Sequence, residues 1–139
     1  MPKLTSVLLV DDDPTNNFLN ERLLKRLDVA EHIMVAANGQ EALAVLQQAG
    51  QGPQPSYPSL ILLDVQMPVM NGIEFLQAFQ QLSPAQRRAT TVVVLTTSMD
   101  ARDLIRLDSL PAAGRINKPL TVEKMDTVLQ LHYQHQRPC

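Results

Sequence analysis

Short apolar runs alternating with helix-period segments constrain this chain more than any other feature. The runs are Val7-Leu8-Leu9-Val10, Ile33-Met34-Val35-Ala36, Leu60-Ile61-Leu62-Leu63 and Thr91-Val92-Val93-Val94-Leu95, and Arg115-Ile116-Asn117 reads as a brief fifth strand. Unbroken apolar runs of this length suit strands buried on both faces. Between them, apolar residues recur at helical spacing: Phe18, Leu19, Leu23, Leu24 and Leu27; Ala42, Leu43, Leu46 and Ala49; Ile73 to Leu82; Leu104 and Ile105 within Asp100 to Leu110; and Val122, Met125, Val128, Leu129 and His132. Asp13-Pro14 supplies a cap and a first-turn proline for the first helix. The stretch from Gly50 to Ser59 is rich in glycine, proline and serine and reads as a surface loop. Five such strand–helix units predict an α/β fold, a parallel sheet with helices on both faces, because right-handed crossovers place them there. In such sheets ligands sit at the carboxyl ends of the strands.

The bulk properties narrow the function classes. The 139 residues fit one domain, and a 45% hydrophobic fraction argues against disorder. A formal net charge of −2 offers no basic face for a phosphate backbone, so direct nucleic-acid binding is not expected. The only cysteine is Cys139, so no intramolecular disulfide forms, which is compatible with a reducing cytoplasm. The chain shows neither a signal-peptide core nor a run of ~20 apolar residues for a membrane span, so a soluble, cytoplasmic protein is expected.

The polar residues fall where phosphoryl chemistry would use them. Strand one ends in Asp11-Asp12-Asp13, strand three in Asp64, strand four in Thr96 and strand five in Lys118. A parallel sheet brings all four ends to one edge. Clustered carboxylates bind a hard divalent cation through oxygen, and Mg²⁺ typically takes one or two of them with water and phosphate oxygens. A carboxylate can itself take a phosphoryl group, after which positioning and charge neutralisation do most of the remaining work. Lys118 can supply charge and the Thr96 hydroxyl a hydrogen bond. Taken singly, Asp13 reads as a helix cap, Thr96 as β-propensity and Lys118 as a solvated turn residue. Taken together, they would have to coincide at four corresponding strand ends.

Four motifs, in this order, carry a resemblance: Val-Leu-Leu-Val-Asp-Asp-Asp-Pro; Leu-Ile-Leu-Leu-Asp-Val-Gln-Met-Pro-Val-Met-Asn-Gly; Val-Val-Val-Leu-Thr-Thr-Ser; and Asn-Lys-Pro-Leu. The chain resembles a receiver domain, the phosphoacceptor module of two-component response regulators, in its single-domain, chemotaxis-type form. The resemblance runs from about Leu4 to His132 and reads residues 1–139 as one domain. It implies a flavodoxin-like, doubly wound fold with five helices and a five-stranded parallel sheet of order 2-1-3-4-5. It makes Asp64 the phosphorylated residue. Asp11 and Asp12 become the acidic pair around Mg²⁺ (with Mn²⁺ as a substitute), Asp12 the more direct ligand, and the Gln66 backbone carbonyl a further one. Thr96 and Lys118 would contact the phosphoryl oxygens, and the Lys118-Pro119 bond would be cis. The implied donor is a histidine kinase or a histidine phosphotransfer protein. The implied output is a protein-binding face formed by the fourth helix, fifth strand and fifth helix, through which a homodimer could also form. Autophosphorylation and hydrolysis would make the chain a signalling switch and not a turnover enzyme.

Two positions depart from the family pattern. Arg115 stands three places before Lys118, where an aromatic switch residue is usual. It either exchanges partners between carboxylates on activation or is a solvated surface residue. Thr97 fills a slot usually held by Ala, Ser or Gly, and its bulk would narrow access to Asp64. Gln66 and Ser98 would line the water's route to the phosphoryl group and tune hydrolysis. Two competing readings stay open at this point. In a haloacid-dehalogenase-type phosphatase, Asp11 would be the nucleophile and Asp13 the general acid. In a degenerate receiver, the domain would bind protein and never take phosphate.

Overall fold

The computed structural model describes residues 4–50, 57–64, 72–96, 105 and 114–133. The elements run β1 (Leu4–Val10), α1 (Pro14–Leu27), β2 (Ala30–Ala36), α2 (Gly39–Ala49), β3 (Leu60–Asp64), α3 (Gly72–Phe79), α4 (Pro84–Ala89), β4 (Thr91–Thr96), β5 (Gly114–Asn117) and α5 (Val122–Tyr133). All five strands are parallel in one sheet of order 2-1-3-4-5. The topology expected from the sequence is therefore the observed one. The helix expected over Asp100 to Leu110 lies outside the described residues, apart from Ile105.

The unbroken apolar runs have a simple cause. Successive side chains of a strand point to opposite faces, and here each face carries its own core. Leu8, Val10, Ile61, Leu63, Val92 and Val94 pack with Ala42 and Leu46 of α2 and Ile73, Phe75, Leu76 and Phe79 of α3. Their neighbours Val7, Leu9, Leu60, Leu62, Val93 and Leu95 pack with Leu24 of α1 and Met125, Val128 and Leu129 of α5. At roughly 1.5–3 kcal/mol for each large apolar side chain fully buried, these two layers are the main force holding the domain together.

Polar residues set the helix limits. Asp13 caps α1 by accepting from the Thr15 amide at 2.9 Å, with Pro14 in the first turn. Asp28 ends α1 in the left-handed region (φ 56°). Asn38 caps α2 by accepting from the Glu41 amide, and the Glu41 carboxylate reaches back to the Ala37 amide. The α1 stripe differs from the expected one. Phe18 and Leu19 are each 55% exposed, whereas Asn17 is buried on the line that leads to Leu24. At the amino ends of the strands, the buried Thr90 hydroxyl donates to the Pro58 carbonyl at 2.7 Å. No helix among the described residues is long and apolar enough to cross a membrane.

Candidate functional site

Strand register assembles the site. Val10 pairs with Leu63, Leu63 with Val94, and Asp64 with Leu95, which faces Ile116. Asp11 and Asp64 therefore leave neighbouring central strands at the same level. One step further, Thr96 closes β4 beside Asn117, and Lys118 follows directly. Asp11, Asp64, Thr96 and Lys118 thus stand at or directly after the carboxyl ends of β1, β3, β4 and β5.

Lys118 ties this edge together. Its ammonium donates to Asp11 Oδ2 at 2.9 Å and lies 3.4 Å from Asp64 Oδ2. The Lys118-Pro119 bond is cis. Burial alone would lower the Lys118 pKa, but the hydrogen bond to Asp11 and the charges of Asp64 and Asp11 outweigh it and raise the ammonium above its usual 10.5. Lys118 is thus held fully charged at neutral pH.

The donor set suits a hard dication. Asp11, Asp12 and Asp64 each offer a carboxylate oxygen, all within 4.8 Å of one another. Asp11 and Asp64 are buried and Asp12 is exposed. Three carboxylates against the single ammonium of Lys118 leave two negative charges, which a divalent cation would balance. All the donors are oxygens, as Mg²⁺ prefers. The residues present therefore fit Mg²⁺. Crowding of like charges has a measurable consequence: Asp12→Asn is expected to stabilise the metal-free protein. At about 4–5 Å the repulsion it relieves is about 1 kcal/mol even in water, so thermal unfolding in EDTA should shift up by roughly 3 °C. An unchanged or lower midpoint would mean that the three carboxylates do not share one field.

Asp11 is held from every side. Its Oδ1 accepts from the Asp13 amide at 2.9 Å, its Oδ2 from Lys118 and, at 3.4 Å, from the Asn16 amide group, and its main-chain carbonyl from Asn17 Nδ2 at 2.8 Å. Asn16 and Asn17 were not among the residues expected from the sequence. The signal available was a polar residue one heptad before Leu24, on the face that should be apolar. Asp13, the general acid of the phosphatase reading, is engaged as the α1 cap. Arg115 is exposed on β5 and makes an interaction of its own. Gln66, Thr97 and Ser98 lie outside the described residues.

The comparisons with known proteins agree with this geometry. The response regulator receiver domain family matches over residues 7–130. Response regulator Rcp1 of Synechocystis sp. is 36% identical over 99 residues, 71% of this chain and 66% of that protein. Autoinducer 1 sensor kinase/phosphatase LuxN of Vibrio campbellii is 35% identical over 124 residues, 89% of this chain but 13% of that protein. The chain thus spans two thirds or less of the curated relatives it matches here. Among solved structures, a two component response regulator from Cytophaga hutchinsonii superposes with a TM-score of 0.82 at 29% identity, covering 94% of this chain and 97% of that one. With a matching family over nearly the whole described core and the acidic edge in place, the chain belongs to the response regulator receiver domain family of two-component signalling.

Proposed function

We propose that this receiver takes a phosphoryl group onto Asp64 from a histidine kinase or histidine phosphotransfer protein, in a reaction that requires Mg²⁺. The observation that carries the reading is the bridge from Lys118 to Asp11 and Asp64, 107 positions apart in the case of Asp11, at the edge where the fold family binds ligands. Asp64 would attack phosphorus as the P–N bond of the donor phosphohistidine, protonated on its other ring nitrogen, breaks, leaving the neutral imidazole and an aspartyl phosphate. Mg²⁺, when bound, would neutralise charge on the phosphoryl oxygens. Asp12, Asp64 and the Gln66 carbonyl would hold the metal directly, with Asp11 occupied by Lys118 and backing it. Lys118 would pass from Asp64 to a phosphoryl oxygen, and the Thr96 hydroxyl would donate to another.

The newly formed phosphate recruits Thr96 and Lys118 and so shifts a pre-existing equilibrium on a protein-binding face. Phe18 and Leu19, exposed on α1 beside the site, offer the donor an apolar foothold. The chemistry is self-modification with one phosphoryl group per chain. The reading places the protein in the cytoplasm as a single domain over residues 1–139, with protein partners and no direct nucleic-acid contact.

The test is intact-mass analysis after incubation with acetyl phosphate and Mg²⁺. Wild type should gain ~80 Da, one phosphoryl group, and lose the adduct with EDTA. Asp64→Asn should stay unmodified. An adduct that survives in Asp64→Asn but vanishes in Asp11→Asn would return the phosphatase reading. An unmodified wild type would favour the degenerate receiver.

A further inference from the structure

Asn17 is a costly residue for its position. It is 6% exposed, on the face of α1 that otherwise packs through Leu24. Its Nδ2 donates to the Asp11 carbonyl at 2.8 Å, but its Oδ1 has no hydrogen-bond partner among the described residues. A buried unsatisfied acceptor is a net loss that a leucine in the same volume would avoid. Reversing the amide does not help, since it would set Oδ1 against the carbonyl oxygen and strand two N–H donors. Stability alone therefore does not account for an asparagine here.

The single bond it makes lies at a position of leverage. The carbonyl of Asp11 and the amide of Asp12 belong to one planar peptide. Fixing that carbonyl fixes the plane, and with it the Asp12 nitrogen and Cα, so that rotation about the Asp12 N–Cα bond is the one backbone freedom left in where its side chain departs. Asp12 is exposed, and among the described residues no side-chain hydrogen bond to its carboxylate is seen. The Asp11 carboxylate is already fastened by Asp13, Lys118 and Asn16. Among the described residues, the peptide is what orients Asp12.

We propose that Asn17 is a positioning residue for the cation: by clamping the Asp11–Asp12 peptide it aims the Asp12 carboxylate at the point where the Asp11 and Asp64 oxygens converge. This rests on the metal-dependent reading above. Asn17 touches neither metal nor phosphoryl group, and its effect is to reduce the reorganisation needed when the ion enters. Removing an outer group of this kind typically weakens metal binding ten- to a hundredfold.

The experiment titrates the full chain with Mn²⁺ and follows loss of the free-ion electron paramagnetic resonance signal, which reads affinity without phosphorylation. Wild type, Asn17→Leu, Asn17→Ala and Thr90→Val are compared, together with their thermal midpoints in EDTA. Thr90→Val removes a buried hydrogen bond to a carbonyl at the opposite end of the strands and reports what a purely structural loss does. The expected result is a tenfold or greater rise in the Mn²⁺ dissociation constant for both Asn17 variants and none for Thr90→Val. Wild-type affinity in either folded Asn17 variant overturns the proposal while leaving the metal reading intact. An equal weakening in Thr90→Val also overturns it, because the effect would then be global. Absence of Mn²⁺ binding in wild type removes the metal reading, and the proposal with it.

Discussion

Lys118→Met slows Mg²⁺-dependent labelling of Asp64 by acetyl phosphate by about a hundredfold or more, the usual loss when one preorganised donor to a developing oxyanion is removed. Methionine keeps an unbranched stem of similar length and removes the charge. The same substitution leaves Asp11 and Asp64, both buried, facing each other without their shared cation. Breaking a fully buried pair costs about 3–5 kcal/mol. Lys118 reaches solvent in part, so a destabilisation of about 2 kcal/mol is expected at neutral pH, measurable by urea unfolding in EDTA. The pH dependence has a definite sign. A lysine whose folded pKa is raised contributes its full stabilisation below the unfolded value near 10.4 and loses it as pH climbs through the folded value above 10.5. The gap between wild type and Lys118→Met is therefore flat from neutral pH to about 10 and closes beyond it. Added Mg²⁺ should stabilise the variant more than the wild type, since the ion then replaces the positive charge that Lys118 supplied to Asp11 and Asp64. A variant labelled at the wild-type rate would remove Lys118 from the chemistry.

The legible parts of the fold were those written as periodicity. Val7 to Val10, Leu60 to Leu63 and Val92 to Leu95 are buried on both faces, so no polar residue interrupts them. Strand β2 begins at Ala30, three residues before its apolar run, because it is an edge strand. Glu31 and His32 are exposed and carry no burial signal. Helix α4 is six residues long and buries none of them, so it leaves no apolar stripe. Its announcement was Ser83-Pro84, the same cap-and-proline pair as Asp13-Pro14. On α1, five apolar residues suggested a broad face, but the helix turns Leu24 inward and leaves Phe18 and Leu19 outside, with Arg22 stacked over the Phe18 ring at 5.7 Å.

The site was legible for a different reason. Once parallel order is granted, every strand end meets the same edge, so Asp11, Asp64, Thr96 and Lys118 had to converge. Their pairing was not legible. That Lys118 bonds Asp11 more closely than Asp64 follows from register and loop path, which side-chain types do not encode. Asn17 was missed because a side chain that acts through a backbone carbonyl has no motif; only its polarity on a buried face gives it away.

Phe75→Ala is expected to unfold the domain more readily than any surface change. The ring is fully buried in the layer between the sheet and α2–α3, 6.2 Å from the Phe79 ring and stacked with it. Truncation removes the ring's burial and leaves a cavity that close-packed neighbours fill only in part, a loss of about 3–5 kcal/mol. Against a total stability of roughly 5–15 kcal/mol for a domain of this kind, that is about a fifth or more of what holds it folded. With a urea slope of about 1.5–2 kcal/mol/M, the midpoint should fall by roughly 2 M. The consequence for the site is indirect but specific. Leu63 of the same layer directly precedes Asp64 and pairs across β3–β4 with Val94, two residues before Thr96. Loss of that packing should lower the cooperativity of the edge before the α1–α5 layer responds, so amide exchange in β3 and β4 should accelerate more than in α5. Uniform acceleration would show that the two layers unfold as one unit, and an unchanged midpoint would mean that the Phe75 pocket collapses without cost.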